Sequence, residues 1–250
     1  MRRIAILLVI TSATCLSTLQ AQSAPSRGPD GSMRSITPGI EVLPYLNRPF
    51  SGTDTIVKTL PIEGGGTITT SETSKIARDS QGRLYRERHH FAAVDVDPEK
   101  TLYEFYVLDP ISHTHTACTI ATHQCTRTSY HPRFSYPVQP TGAFDAGRRF
   151  LTREDLGQQS IDNLPTIGTR EITTIAPATV GNDKELTLTR EFWYSPDLRT
   201  NLSVIRKDPR EGTQAIHLNV LSRDEPDPST FAVPAGYTVQ DDLQVTTSSN

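Results

Sequence analysis

Between Glu185 and Val220 the chain alternates apolar and polar residues in three runs separated by two turns. In the first run Leu186, Leu188, Phe192 and Tyr194 share one parity, while Thr187, Thr189 and Glu191 share the other. A period of two sends alternate side chains to opposite faces of an extended chain, so this run is a half-buried strand. Ser195-Pro196-Asp197 then reverses the chain, because proline fixes φ and a short acceptor side chain bonds its own backbone. Leu202 and Val204 against Ser203 mark a second strand, and Asp208-Pro209-Arg210-Glu211-Gly212 a second reversal. Ile216, Leu218 and Val220 against His217 and Asn219 mark the third. The pattern predicts a three-stranded antiparallel meander.

Upstream, strands are expected at 53–60, 67–78, 83–92, 101–108, 112–119 and 169–176. Asp79-Ser80-Gln81-Gly82 links two of them as a hairpin turn whose terminal glycine takes a left-handed conformation. The run from Thr101 to Leu108 is apolar on both parities, with Leu102, Tyr106 and Leu108 against Tyr103, Phe105 and Val107, which predicts a strand covered on both faces. Helix signals are few. Thr152 as cap and Gly157 as stop predict one or two helical turns over 152–157. Prolines at 132, 137 and 140 make 130–145 an irregular surface excursion. The expected fold is mainly β: a strongly curved antiparallel sheet or incomplete barrel of about ten strands with little helix.

The ends of the chain add a compartment. Arg2 and Arg3, the apolar Ile4 to Ile10, and small or polar residues up to Ala21-Gln22-Ser23-Ala24 read as an export signal over 1–23, cleaved near Ala21 to Ala24. The apolar run is shorter than the roughly 20 residues a membrane span needs. Residues 24–48, rich in Pro, Gly and Ser in their first part, are expected to form a mobile arm, 49–240 a single β-rich domain, and 241–250 a disordered tail. Cleavage removes two of the 25 basic residues and none of the 28 acidic ones, so the mature chain carries a net charge near −5. That balance implies no nucleic-acid partner. The expected location is periplasmic or secreted, with nothing spanning the membrane after cleavage.

Two cysteines remain after cleavage, Cys118 and Cys125, and an even count in an oxidising compartment predicts a disulfide between them. An alternative set, His115, Cys118, His123 and Cys125, offers nitrogen and sulfur ligands, although its spacing matches no common structural zinc pattern. His113 and His115 would face the same way on a strand, and His89 and His90 opposite ways. Arg83, Arg86 and Arg88 read as an exposed ladder of charges beside Glu87. Trp193 lies off the apolar parity of its strand, which predicts a second packed face. Asp224, Glu225 and Asp227 are acidic, but Pro226 and Pro228 make them a rigid connector. The chain has no Gly-x-Ser-x-Gly elbow, His-Glu-x-x-His helix, phosphate loop or dinucleotide glycine fingerprint, so neither catalytic residues nor a cofactor or metal are assigned.

Several of these elements occur together in a recognisable order: Asp79-Ser80-Gln81-Gly82-Arg83, Gly181-Asn182-Asp183, Glu191-x-Trp193-Tyr194-Ser195-Pro196-Asp197-Leu198, Asp208-Pro209-Arg210 and Glu225-Pro226-Asp227-Pro228-x-x-Phe231-x-Val233-Pro234-Ala235-Gly236-Tyr237. In this the chain resembles a family of uncharacterised exported bacterial proteins from about Pro49 to Val239. Its closing segment is similar to the end of proteins related to the outer-membrane lipoprotein-sorting carriers. That resemblance implies a strongly curved antiparallel sheet, an incomplete barrel with helices over an apolar cavity. This chain departs from the pattern in having little helix.

Three function classes follow. The leading expectation is a non-catalytic periplasmic protein that binds a lipid, a lipoprotein or another envelope component on a concave apolar sheet face. The second is an envelope interaction or sensor module. The third is a hydrolase with dispersed residues, for which a histidine, a carboxylate and a hydroxyl would meet in a cleft.

Overall fold

The predicted meander is present as strands β11 (Leu186–Ser195), β12 (Thr200–Asp208) and β13 (Gly212–Ser222). They belong to one open sheet of fourteen strands in a computed structural model that describes residues 40–132 and 138–243. The export segment, the first part of the arm, residues 133–137 of the proline-rich excursion and residues 244–250 of the tail lie outside the described residues. Upstream come β1 (Phe50–Pro61), β2 (Thr67–Arg78), β3 (Leu84–His89), β4 (Ala92–Ala93), β5 (Leu102–Asp109), β6 (Thr114–Thr119), β7 (Gln124–Ser129), β8 (Gly142–Phe144), β9 (Arg149–Ile161) and β10 (Leu164–Ile175), and β14 (Thr238–Asp242) closes the series. The order across the sheet is β14-β7-β6-β5-β3-β2-β1-β13-β12-β11-β10-β9-β8, with β4 beside β2. β14 and β8 are its two edges, so the sheet is not a closed barrel.

Four expectations change. Among the described residues the strands number fourteen, not about ten, and β14 joins β7 in parallel while the other pairs are antiparallel. Residues 152–157 are strand, not helix, because β10 offers β9 a complete ladder from Ile175↔Arg149 to Leu164↔Ile161. Thr152 pairs regularly with Ile172, and the expected stop, Gly157, instead marks a strand irregularity at the register shift between Gly168 and Thr169. The end of the expected arm packs on the sheet: Ile40 and Val42 are buried in the main cluster. At the other end, Asp241 and Asp242 pair with Arg127 and Thr128 in β14 and are not tail.

That cluster occupies one face of the central strands. Register places Ile56 beside Ile216, Ile216 beside Val204, and Val204 beside Phe192, so alternate positions of β1, β13, β12 and β11 point the same way. Ile40 and Val42 pack with Phe50, Ile56, Ile76, Leu84, Leu198, Leu202, Val204, Ile216 and Leu218. Arg78 ties the covering segment down. Its side chain is fully buried, lies 5.1 Å from the Phe50 ring centroid, and donates to the carbonyls of Arg48 (2.8 Å), Leu43 (2.8 Å) and Leu198 (2.6 Å). Gly82 completes this corner at φ +82, where a Cβ would fall 2.6 Å from the Pro44 carbonyl oxygen.

The opposite face of β2, β3, β5, β6 and β7 is covered by the chain that leaves β13. Glu225 accepts hydrogen bonds from the Ser80 amide and hydroxyl, and Asp227 caps a short 3-10 turn (Pro228–Phe231) through the Ser229 amide. Phe231 then packs on Ala77 and Val107 beneath the Arg83 guanidinium. Val233, Tyr237 and Val239 pack on Phe105 and on the Cys118–Cys125 disulfide. β5 thus makes apolar contacts on both faces, with Phe105 and Val107 beneath this segment and Leu108 against the main cluster, while Tyr103 near its start is 37% exposed.

Arg78→Ala is expected to destabilise the protein by about 3 kcal/mol or more, because three enclosed carbonyls lose their donor together. Arg78→Lys should recover only part, since one ammonium cannot reproduce the planar fork. Equilibrium urea unfolding checks both.

Candidate functional site

The face that carries the main core changes character towards the β1–β2 and β12–β13 turns. One step beyond Ile56, Ile216, Val204 and Phe192 the ladder reads Lys58↔Gln214, Gln214↔Arg206, Arg206↔Arg190, Arg190↔Glu171 and Glu171↔Arg153. Six strands thus present one row with four cations and one carboxylate. Arg206 donates to Gln214 Oε1 (3.0 Å), and Arg153 forms an ion pair with Glu171 at 2.6 Å. Burial and, second, the like charge of Arg190 lower the pKa of the Arg206 guanidinium. Beyond this row the same face turns apolar again through Leu60, Ile68 and Leu188. Leu60 and Ile68 are 37% and 52% exposed, and Phe192 and Leu188 are half-buried. The covering segment 40–48 lies at the other end of the face, with Arg78.

Between the two ends sits an enclosed ion pair. Asp54 is 1% exposed and pairs with Arg86, which also donates to the Ile40 carbonyl at 2.6 Å. Arg86 therefore links β3 to β1 and to the start of the covering segment. Burial, opposed by Arg86, pushes the Asp54 carboxyl up to about 6.

The residues singled out in the sequence fall as follows. Cys118 and Cys125 are directly opposite across β6 and β7, and their disulfide is buried under the C-terminal segment. His115 is on the other face of β6, edge-on to Tyr106, and His123 sits in the β6–β7 turn against Tyr237, so the nitrogen and sulfur set does not converge. His113 precedes β6 in a left-handed turn conformation and does not continue the strand parity of His115. His89, the last residue of β3, is buried, and His90, which follows the strand, is exposed. Of the arginine ladder, Arg88 pairs with Glu104, Arg83 pairs with Asp79, and Arg86 is the half-enclosed partner of Asp54; the expected exposed ladder is thus three separate contacts. Trp193 covers Gly168, where a Cβ would lie 2.6 Å from the indole ring, and its Nε1 donates to Glu191. Asp224, Glu225 and Asp227 each bond a different partner, Ser222, Ser80 and Ser229, in keeping with a connector.

A histidine, a carboxylate and a hydroxyl do meet on β3. Glu87 accepts from Tyr85 Oη (3.1 Å) and the Lys75 amide (3.0 Å), and faces His89 Nε2 at 3.2 Å. His89 Nδ1 faces the Pro98 carbonyl and Thr101 Oγ1, and both Glu87 and His89 are under a tenth exposed. The trio joins β3 to β2 and to the 98–101 turn. Its polar atoms are directed at one another and at these neighbours.

The cationic row is not legible from alternation alone. Periodicity places Arg190 and Arg206 each on a strand, but only the register between strands shows that they lie opposite each other. The parity of Arg190 with Phe192 and of Arg206 with Val204 is the available signal.

No family model and no curated protein matches the chain. Among solved structures it is similar to an uncharacterized conserved protein from Thermus thermophilus, with 10% identity over 78% of this chain and 91% of that one and a TM-score of 0.43. It is similar to a chain of the Pseudomonas aeruginosa MucA/MucB complex, with 11% identity, 74% and 56% coverage and a TM-score of 0.36. It thus spans little more than half of that chain. A LolA superfamily protein from Nitrosomonas europaea shares 9% identity over 74% of this chain and 91% of its own, with a TM-score of 0.26.

Because the folded Asp54 carboxyl holds its proton up to about pH 6 and the unfolded one releases it near pH 4, the native state binds the extra proton between these values. This residue's contribution to stability therefore falls as pH rises from about 4 through about 6 and is level above. Urea midpoints of the wild type relative to Asp54→Asn should show that decline; a relative midpoint that rises over the same window contradicts it.

Proposed function

We propose that this is an exported envelope protein that holds an amphiphilic envelope component, a lipid or the lipid of a lipoprotein, on the uncovered part of its core-bearing sheet face. The observation that carries this reading is the uneven cover of that face. Residues 40–48 close it around Arg78, whereas at the turn end Leu60 and Ile68 stand exposed and Phe192 and Leu188 half-buried. Apolar side chains left in solvent on the core-bearing face, beyond the cationic row, are where an apolar chain gains most from leaving water. The periplasmic location rests on the N-terminal export pattern and on a disulfide, which persists in oxidising compartments. No helix among the described residues is long and apolar enough to cross a membrane.

A second reading, a docking module for another envelope protein, is favoured by a separate patch. Phe91, Val94 and Val96 are 44%, 63% and 41% exposed in the stretch where β4 pairs with β2.

Native mass spectrometry of the protein purified from its own envelope fraction, followed by organic extraction, separates the two. The amphiphile reading expects a stoichiometric lipid adduct that extraction removes. A bare polypeptide, or one carrying only a second protein, overturns it.

A further inference from the structure

The Cys118–Cys125 disulfide joins directly opposed residues of the β6–β7 hairpin, 7 positions apart in the chain. A hairpin with a short turn assembles from local contacts, so the two thiols can meet as soon as β6 and β7 pair. What encloses them comes from much farther along. Cys118 and Cys125 are 0% and 1% exposed. Phe105 and Tyr85 flank the pair from β5 and β3, while Val233, Tyr237 and Val239 of the C-terminal segment complete the cluster. The Tyr237 ring centroid lies 5.6 Å from that of Phe105 and 4.8 Å from that of His123 in the hairpin turn. The Thr238 amide donates to the His123 carbonyl, and Val239 is the register partner of Cys125.

Disulfides are made and broken by attack of a thiolate on a sulfur, through a mixed disulfide with an outside thiol. In oxidation, one cysteine thiolate of the chain attacks a disulfide of the oxidant and expels one of its sulfurs as a thiolate. The second cysteine thiolate then attacks the chain's sulfur in the mixed disulfide and expels the other. Two electrons pass to the oxidant, and the two protons released by the cysteines end on its thiols. Reduction retraces these steps, so a sulfur closed to a reductant is equally closed to an oxidant. With both cysteines enclosed, the folded chain offers no sulfur for an outside group to reach.

We propose that this chain is the substrate of a disulfide-bearing, dithiol-oxidising protein that acts on the β6–β7 hairpin before the C-terminal segment docks, and that docking of residues 225–239 then seals the bond. Docking suits the later step because its contacts join distant parts of the chain: Glu225 on Ser80, Phe231 beneath Arg83, Val239 beside Cys125. The oxidation draws on the oxidising compartment of the export reading above and is independent of what the sheet binds.

The test uses the full exported protein in its oxidised form, dithiothreitol as the probe, and alkylation of the freed thiols read by intact mass. Reduction in native buffer should be on the order of a hundredfold slower than in urea, since it must wait for the segment to open. Glu225→Ala removes the anchor on Ser80 without touching the disulfide cluster and should speed native reduction about tenfold. Tyr237→Ala should speed it at least as much. Ile56→Val, a comparable loss in the main core, should leave the native rate unchanged. Native reduction as fast as in urea overturns the seal. A native rate that neither Glu225→Ala nor Tyr237→Ala alters, or that Ile56→Val raises equally, overturns the C-terminal segment as its cause. Two free thiols in protein taken from its own envelope fraction overturn the oxidation step, whatever the kinetics of the sealed form.

Discussion

One enclosed guanidinium connects the parts of this molecule that the sheet alone would leave separate. Arg78 ends β2, yet its donors reach a carbonyl in the covering segment, a second where that segment meets β1, and a third in the β11–β12 turn. A buried charge is costly unless its hydrogen bonds are met. Here three carbonyls that would otherwise be enclosed without a donor meet it, so the cation and the loops stabilise one another. Burial lowers the guanidinium pKa to about 10, which still leaves it charged at neutral pH. The placement of residues 40–48 that satisfies this geometry decides which part of the core face is closed and which is open.

The two covering segments do different work. The C-terminal one closes the face that carries the disulfide, and the side chains of the Glu225 to Tyr237 motif explain its composition: Glu225 anchors to Ser80, Asp227 caps a turn, and Phe231, Val233 and Tyr237 fill the space over β3, β5 and β6. The N-terminal one covers the other face only in part. On the proposed reading, the ligand would sit beyond the part of the core that Ile40 and Val42 close.

Much of this was legible from alternation. The β11–β13 meander, the β2–β3 hairpin with its left-handed Gly82, and the apolar contacts of β5 on both faces all follow from residues a few positions apart. What failed was long-range. Thr152 to Gly157 looks like a capped helical turn, and its strand form depends on β10, which local propensity does not see. Ile40 and Val42 sit at the end of a Pro, Gly and Ser-rich stretch, and only the distant Arg78, Arg86 and Thr200, which bond the carbonyls of Leu43, Ile40 and Glu41, bring them into the core. The cationic row was hidden for the same reason, since its members are far apart along the chain and adjacent only in register.

The central claim is that the open part of the core face, and not the opposite face of the same strands, holds the envelope component. Site-specific photo-crosslinking in living cells tests it directly, with a photoreactive aromatic amino acid replacing Leu188 in one strain and its neighbour Thr189 in another. The two side chains are adjacent in the chain and on opposite faces of β11. The account predicts a lipid-bearing adduct from position 188 and none from 189; adducts from 189 alone, or equally from both, would contradict it.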